Sequence, residues 1–485
     1  MRLSRANLSA LANDVAQPAA QGVTTGRIVH LGIGAFHRAH QAIYTQDAST
    51  PDDGWRITGV SLRSPAVRDA LNPQDGLYTV TEQSNGAAAT RLVTVIDDVL
   101  VAPENPEAVI AVLAAHDTHI VTLTVTEKGY YRDTATGRLL VSDPAIENDV
   151  RGNSPQTIYG FLSAALALRR RAGAGGLTLI SCDNLSGNGT LLLNLLLEFL
   201  DGRDDGLAEW ARGHIRAPDT MVDRIVPATT AADRAFVASA IGIEDAGAII
   251  TEPFRQWVIE DSFAGPRPQW ENAGAQIVAD VAPFELAKLR LLNASHSTLA
   301  YAGLQLQYDY VHQAIADPVL RDFVVAQMAE AVPTLIAAPG LDTSAYITAM
   351  LARFANADLH HRLDQIAMDG SQKLPQRWVA TITERFAAGQ ASPCHLLSLA
   401  AWIAYSADAP AIADDPLKAR YAAIWAEAAD DVPLAVQRLV GELGLFGPEL
   451  RQCPAFIATL AGAVAAWQQD GPRVALRAAT KADGG

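Results

Sequence analysis

Three polar residues of one apolar helix could do chemistry together: Lys288, Asn293 and His296, in the segment Lys-Leu-Arg-Leu-Leu-Asn-Ala-Ser-His. At about 100° per residue, Asn293 lies roughly 140° and His296 roughly 80° around the helix axis from Lys288, so the three side chains project into one sector. A buried lysine loses proton affinity through desolvation, which suits it to act as a general base, while an amide and an imidazole can fix an alcohol oxygen. The alternative is that Lys288 and Arg290 form a solvated helix face, with Asn293 and His296 as satisfied hydrogen-bonding groups.

The elements that must position these residues show two different residue patterns, which change near residue 283. Before residue 283, short β-branched runs alternate with amphipathic helices, which predicts an α/β domain with a largely parallel, Rossmann-type sheet over 1–282. After it, alanine and leucine recur at helical spacing and prolines punctuate the helices, which predicts an all-helical domain over 283–485. The predicted strands are Arg27–Leu31, Arg56–Leu62, Arg91–Val95, His119–Val125, Leu177–Ser181 and Gln256–Glu260.

Composition favours a small-molecule partner. The chain has 485 residues, 49% of them apolar, and a formal net charge of -16, which opposes binding to nucleic acid or to anionic membranes. Its three cysteines, Cys182, Cys394 and Cys453, have neither disulfide nor zinc spacing. We see no secretion signal, and Leu191–Leu200 is too short to span a bilayer. We therefore expect a cytoplasmic protein whose oligomeric state is open and for which a monomer is plausible.

A candidate nucleotide site follows the first predicted strand. Arg27–Leu31 runs into Gly32-Ile-Gly-Ala-Phe-His37, where Gly32 permits a tight turn and Gly34 lets backbone amides approach a pyrophosphate. The third glycine of the dinucleotide fingerprint is replaced by His37. A tight turn without a ligand is the alternative interpretation.

The second expected mark of a dinucleotide site is missing, because the second strand ends in Gly-Val-Ser-Leu-Arg63 rather than in an acid. Asp52 and Asp53 precede that strand and cannot bind the ribose. Arg63 could accept the 2′-phosphate of NADP or stack on the adenine of NAD, so the residues leave the choice between NAD and NADP open.

Two further strand ends carry polar residues, in Thr124–Gly129 and Ser181–Asn184. Open α/β sheets bind ligands beyond the carboxyl ends of their strands, so these loops would line one crevice with Gly32 and Gly34. Ordinary turn chemistry is the alternative for either loop alone.

Taken together, these segments resemble the polyol-specific long-chain dehydrogenase (mannitol dehydrogenase) family, from about residue 25 to about residue 470. The matching segments are Gly32–His40, Thr126–Tyr130, Ser181–Asn184, Met221–Arg224, Glu252–Asp261, Lys288–His296 and Asp369–Lys373.

The resemblance implies an NAD(P)-dependent oxidoreductase that acts on a CH–OH group without a metal. It implies that Lys288 takes the hydroxyl proton, that Asn184 and Asn293 hold the oxygen, and that His296 orients the substrate. It also implies that Asp223 sets or relays the lysine's proton and that Lys373 reaches the substrate, although either could instead form a structural salt bridge. The residues implied to bind the cofactor are Gly32, Gly34, Phe36, His37, Arg38, Arg63, Glu127, Lys128 and Asn184.

The substrate is a polyol or a hexuronate. A uronate carboxylate needs basic partners, and His361, Arg362, Lys373 and Arg377 are the candidates. Their sequence context, and Lys128, resemble the fructuronate-reducing members of the family, which favours the reduction of fructuronate to mannonate over the mannitol–fructose reaction, although solvated surface charges would give the same pattern. The pairs His37/His40 and His360/His361 have no thiolate or carboxylate at metal-ligand spacing, so we assign no metal. A nucleotide-binding sensor without catalysis is a remote alternative, because it would not need Lys288.

Overall fold

The computed structural model describes residues 1–18, 22–133, 135–203, 206–408, 414–429 and 431–482. The chain divides into two compact units, Met1–Ala282 and Pro283–Gly485. Within the described ranges, the strands of the first unit are β1 Thr24–Leu31, β2 Gly54–Ser61, β3 Tyr78–Ser84, β4 Ala87–Val93, β5 Ile96–Val101, β6 Thr118–Leu123, β7 Leu177–Ser181, β8 Ile215–Arg216, β9 Thr220–Asp223, β10 Ile249–Thr251, β11 Gln256–Glu260 and β12 Gln276–Val278.

The main sheet of the first unit has the order β5-β2-β1-β6-β7-β8, and every pairing in it is parallel. Alternate residues of its strands enter two separate apolar cores. Val29 and Val121 belong to one core, while their neighbours Ile28 and Ile120 belong to the other. Burial on both faces explains why these strands read as continuous apolar runs, which is typical of parallel sheets.

Helices accompany this sheet, and two smaller sheets have the orders β10-β3-β4 and β12-β11-β9. The helices of the first unit are α1 Ala35–Ala39, α2 Gln41–Ala48, α3 Ala66–Leu71, α4 Pro106–Ala114, α5 Pro144–Val150, α6 Ile158–Ala172, α7 Asn188–Asp201, α8 Leu207–His214 and α9 Ala231–Ile241.

Two predicted strands lie outside the main sheet, and one of them, Gln256–Glu260, is β11 in the sheet β12-β11-β9. The apolar run expected over Arg91–Val95 forms the end of β4, which pairs antiparallel with β3 outside the main sheet. The edge strand of the main sheet is β5 instead, which follows β4 after a two-residue break. Its Asp97 and Asp98 interrupt the apolar pattern and hide it in the sequence.

The second unit is helical throughout its described residues. Its helices are α10 Ala282–Ala287, which begins at the last residue of the first unit, then α11 Ala294–Gln305, α12 Val311–Ala316, α13 Pro318–Ala331, α14 Thr343–Phe354, α15 Leu363–Ala367, α16 Gly370–Leu374, α17 Ala380–Ala387, α18 Pro393–Ser406, α19 Lys418–Ala428, α20 Val432–Glu442, α21 Pro448–Arg451, α22 Pro454–Gln469 and α23 Pro472–Ala482.

Helix α11 is the centre of this unit. Every residue from Ala294 to Gly303 is buried, and the helix packs against α13, α15 and α18. Two segments wind as π-helix, Lys288–Asn293 between α10 and α11, and Pro375–Val379 between α16 and α17. The predicted fold class, a Rossmann-type parallel sheet followed by an all-helical region, is confirmed.

Candidate active site

The turn after β1 requires a glycine at residue 32. Gly32 has φ +90°, and a Cβ built on it would lie 2.2 Å from the carbonyl oxygen of Thr124 at the end of β6. Gly34 has an ordinary extended backbone, and a Cβ there would meet its nearest atom only at 3.7 Å. Gly32 is thus needed for the turn itself, whereas Gly34 keeps open space in front of α1.

His37 and Arg38, expected to bind the cofactor, have other roles. His37 is completely buried and stacks on His30 of β1, with 3.4 Å between the ring centroids. Arg38 donates hydrogen bonds to the carbonyl oxygens of Gly34, at 3.2 Å, and of Gly247, at 2.7 Å. His37 takes the position of the missing third glycine and faces the sheet, so its imidazole fills the contact between α1 and β1. Both side chains fix the turn through these contacts, and their assignment as cofactor ligands stays a prediction.

The remaining members of this turn are also anchored. Phe36 is half-buried and stacks on His40 at 5.0 Å between centroids. A hydrogen bond of 2.8 Å joins His40 Nε2 to the carbonyl oxygen of Gln256. Burial lowers the pKa of His40 to about 3, so its ring is neutral and its Nε2 donates.

A cleft of about 380 Å³ opens at the carboxyl ends of β1, β2 and β6. It lies where open α/β sheets bind ligands, beside the Gly32 turn. Its wall is lined by Gly32, Ile33, Ser61, Leu62, Arg63, Ser64, Ala66, Val67, Thr124, Val125, Thr126, Gly129, Tyr131, Gln156, Thr157 and Ile158.

Asp183 ties the loops after β6 and β7 together. Its carboxylate accepts hydrogen bonds from the amides of Val125, at 3.0 Å, and Thr126, at 2.8 Å, and from the Tyr130 hydroxyl, at 2.8 Å. Burial raises the pKa of Asp183, while these donors oppose that rise. Thr126 has φ 63° and ψ 164°, a conformation that is costly for a side chain with a Cβ. The sequence identified Asp183 only as part of a motif. That its carboxylate joins the two loops, here called the Asp183 clasp, was missed.

The clasp presents three predicted site residues to solvent. Glu127 and Lys128 are exposed on the short 3-10 turn Glu127–Tyr130, and Asn184 is exposed directly after Asp183. Asp223, by contrast, is buried at the end of β9, where it pairs with Gln256 of β11 in the strand register.

The helix that carries Lys288 differs from the expected α-helix, because Lys288–Asn293 winds with i→i+5 hydrogen bonding. In such a widened turn a residue five positions on lies about one turn further, so Asn293 follows Lys288 along the same side rather than 140° away. Lys288 is 9% and Arg290 4% exposed, which contradicts a solvated face. Arg290 donates to the Glu384 carboxylate and, at 2.9 Å, to the carbonyl oxygen of Thr334.

His296 lies one turn beyond Asn293 and is 9% exposed. Its ring contacts Phe354 at 4.7 Å and His361 at 5.1 Å between centroids. Burial, followed by the positive charges of His361, Arg353, Arg377 and Lys288, holds the pKa of His296 well below its usual value. The ring is therefore neutral, and within the described residues its buried Nε2 has no hydrogen-bond partner.

Two arginines lie close to this histidine. Arg377, on the π-helical segment Pro375–Val379, donates to the carbonyl oxygen of Asn293, at 3.1 Å, and to the Ser297 hydroxyl, at 2.8 Å. Burial lowers the pKa of Arg377 to about 10, which leaves it charged at neutral pH. Arg353 is 7% exposed near the end of α14. It was missed, although its place beside the apolar stripe of Tyr346, Met350 and Phe354 was a usable signal.

The three other predicted substrate residues lie in different settings. Arg362 is exposed and pairs with Asp364, two residues away, so the structure does not bring it to His296. Lys373 donates to the carbonyl oxygen of Met368 at 2.5 Å, and burial followed by the charge of Arg377 lowers its pKa. His361 is half-buried beside His296, and its Nδ1 has no partner among the described residues.

Comparisons with known proteins agree with this arrangement. The domain described as "Mannitol dehydrogenase Rossmann domain" matches residues 26–272, and "Mannitol dehydrogenase C-terminal domain" matches residues 280–468. The chain is 40% identical over 491 residues to a mannitol 2-dehydrogenase of Pyrenophora tritici-repentis, covering 97% of this chain and 85% of that protein. It is also 40% identical over 459 residues to the D-mannonate oxidoreductase of Escherichia coli, covering 91% and 93%.

A solved structure adds to this picture. The mannitol 2-dehydrogenase of Pseudomonas fluorescens, in a ternary complex with NAD and D-mannitol, matches with a TM-score of 0.82 and 36% identity over 99% of this chain and 100% of that one. The chain therefore belongs to the mannitol dehydrogenase family. It is an oxidoreductase that acts on a CH–OH group.

Two further observations concern membranes and metals. Among the described helices, each is too short or too polar to cross a lipid bilayer. Across the same residues, His, Cys, Asp and Glu side chains form no group of three or more that could hold a metal ion.

Proposed function

We propose that this chain is an NAD-dependent secondary-alcohol dehydrogenase, with the first unit binding the cofactor and the second unit holding the reacting alcohol. The observation that carries the proposal is the buried helix on which Lys288, Asn293 and His296 follow one another, with His296 neutral and its buried Nε2 without a hydrogen-bond partner among the described residues. A sensor without chemistry would not need a buried lysine beside that imidazole.

The first unit fits a dinucleotide. The close approach of Gly32 to Thr124 leaves a turn over which a pyrophosphate can pass, and the adjoining cleft of about 380 Å³ is deep enough for part of a nucleotide. When bound, NAD supplies the hydride acceptor, and NADH the hydride donor, for the substrate carbon.

The side chains of the second unit manage the proton and the oxygen. Lys288 takes the hydroxyl proton during oxidation and returns it during reduction. The Asn293 amide donates to the oxygen as negative charge develops there, which stabilises the transition state more than the ground state. His296 Nε2 binds a neighbouring substrate hydroxyl.

For the substrate we favour fructuronate, reduced to mannonate. The charges of Arg353, Arg377 and Lys288 all act on His296. Both hydrogen-bond acceptors of Arg377 are neutral oxygens, so its charge is available to a carboxylate. Arg353 and Arg377, with His361, are our proposed carboxylate ligands. The D-mannonate oxidoreductase of E. coli is among the 40%-identical relatives.

A mannitol–fructose reaction is the second candidate. It is favoured by the equally similar mannitol 2-dehydrogenase of P. tritici-repentis and by the neutral state of His296, which suits an uncharged hydroxyl. In that case the arginines would serve to hold the helices rather than to bind substrate.

The test is a spectrophotometric assay of NADH oxidation at neutral pH, with fructuronate and fructose measured side by side. We expect a higher kcat/KM for fructuronate. The variant Arg353→Leu should lower kcat/KM for fructuronate roughly tenfold more than for fructose, because only the uronate loses a charged partner. Preference of the unmodified chain for fructose would select the second candidate, and activity with neither ketone would contradict both.

A further inference from the structure

The end of β2 carries a positive charge where a dinucleotide fold commonly carries a negative one. In such folds an acid after the second strand binds the ribose 2′-hydroxyl of NAD. Here β2 ends at Ser61, and Leu62, Arg63 and Ser64 follow on the wall of the cleft. Among the described residues that line this cleft, Arg63 is the only charged side chain.

Within the described residues, no structural role accounts for the positive charge of Arg63. Its side chain is exposed, and within the described residues no hydrogen bond or ion pair occupies its guanidinium. Acids in adjoining segments are already engaged, since Arg68 pairs with both Asp69 and Glu104. Within the described residues, Arg63 therefore forms no ion pair on the cleft wall.

A second polar group shares that wall. The charge of Arg63 acts on the Tyr131 hydroxyl, opposing the rise that burial causes in the pKa of that phenol. Tyr131 lines the same cleft, as does the hydroxyl-bearing Ser64. A guanidinium with hydroxyl donors beside it is well matched to a dianionic phosphate.

We propose that Arg63 binds the 2′-phosphate of NADP, so that this chain uses NADP(H) in addition to NAD(H). This inference rests on the proposed dehydrogenase function for its kinetic consequence, but the phosphate site itself can be tested without turnover. Arg63 acts as a specificity-determining residue, and Ser64 adds a hydroxyl donor.

In the binding test, the full-length protein is titrated by calorimetry with two nucleotide fragments of the cofactors, 2′,5′-ADP and 5′-AMP. We expect 2′,5′-ADP to bind roughly tenfold more tightly than 5′-AMP, and Arg63→Ala to remove that advantage while leaving 5′-AMP binding nearly unchanged. The matched control is Arg171→Ala, which removes an exposed arginine at the far end of α6 from the cleft and should leave both affinities unchanged.

The remaining outcomes overturn the proposal in distinguishable ways. Equal affinity of the unmodified chain for both fragments would exclude a 2′-phosphate site. An equal loss of affinity for both fragments in Arg63→Ala would show that the guanidinium stacks on adenine instead. Binding of neither fragment would overturn the nucleotide site and with it the dehydrogenase proposal. With turnover, Arg63→Ala should reduce kcat/KM for NADPH roughly tenfold and change that for NADH little; an equal change would contradict the assignment.

Discussion

Arg377 donates a hydrogen bond of 3.1 Å from its guanidinium to the main-chain carbonyl oxygen of Asn293. The bond joins the two π-helical segments of the second unit, Lys288–Asn293 and Pro375–Val379. π-Turns leave carbonyl groups outside the regular helical pattern, and they occur often at functional sites. The same arginine thus supports the helix that carries the proposed base and, in the proposed fructuronate reaction, offers its charge to the substrate carboxylate.

This double role predicts a graded response to Arg377→Ala. Turnover of both ketones should fall, because Asn293 loses its anchor, but kcat/KM for fructuronate should fall roughly tenfold further than that for fructose. Steady-state kinetics on both substrates measures the ratio. The variant Arg362→Ala serves as the control, since Arg362 pairs with Asp364 at the surface and should leave the ratio unchanged. Equal losses on both substrates in Arg377→Ala would remove the argument from charge.

Replacing Lys288 should separate chemistry from cofactor binding. Lys288→Ala removes the proposed base from the second unit, so kcat should drop roughly a hundred- to ten-thousandfold. The Gly32 turn and its cleft belong to the first unit, so the dissociation constant for NADH, measured by fluorescence titration, should stay within about twofold. Retention of wild-type turnover would show that another group takes the proton.

The two glycines after β1 should respond differently to alanine. Gly32→Ala would place a methyl group 2.2 Å from the Thr124 carbonyl oxygen in a left-handed backbone, so the free energy of unfolding should fall by about 2 kcal/mol or more. Gly34→Ala meets no such neighbour and should fold normally, yet weaken NADH binding by occupying the space in front of α1. Thermal unfolding and NADH titration of the two variants distinguish the roles. Similar stability of both variants would contradict the assignment to Gly32.

Two substitutions at the Asp183 clasp should change the stability of the fold in opposite directions. Asp183→Asn replaces an acceptor oxygen by an amide that cannot accept, so one buried donor among Val125, Thr126 and Tyr130 loses its partner, at a cost of about 1–3 kcal/mol. KM for NADH should rise, because the loop lines the cofactor cleft. Thr126→Gly should instead stabilise the fold by roughly 1 kcal/mol, since it relieves the positive φ. Urea unfolding measures both changes, and a loss of stability in Thr126→Gly would argue against strain at that residue.

Buried histidines predict the pH dependence of stability. Burial lowers the pKa of His30 and of His40 to about 3, and that of His37 falls well below its usual value. Below pH 6.5 the unfolded chain binds protons that the folded chain does not, so stability is complete above that pH and is lost as the pH falls toward 3. Each histidine then contributes about 1.4 kcal/mol per pH unit.

Urea unfolding followed by tryptophan fluorescence at pH 7.5, 6.5 and 5.5 tests this expectation. The free energy of unfolding should decrease steadily below pH 6.5, and His37→Leu should reduce the slope by about one proton. A free energy of unfolding that is constant over this range would mean that the buried rings titrate normally.

The sequence predicted those features that arise from local periodicity. Continuous apolar runs such as Leu177–Ser181 identified the parallel sheet, and helical spacing identified the second unit, because burial on two faces or on one stripe leaves a direct mark on residue type. The edge strand Ile96–Val101 was missed because two aspartates interrupt its apolar pattern.

Prediction was weaker where a role depends on long-range contacts. His37 and Arg38 follow the fingerprint glycines, yet their side chains meet His30 and Gly247, which sequence spacing cannot reveal. Arg353 reaches the environment of His296 from a helix more than fifty residues away in the chain. The π-helical winding of Lys288–Asn293 has no simple sequence signal, so the angular relationship of its polar residues could be corrected only from the structure.

The contrast between Gly32 and Arg63 has an evolutionary meaning. Position 32 admits no side chain, so the turn beneath the pyrophosphate is fixed by the fold itself. Position 63 is exposed and holds nothing together, so natural selection can exchange its residue without a penalty in folding. On the proposed role of Arg63, a single substitution at this position can therefore change the choice between NAD and NADP while the Gly32 turn stays intact.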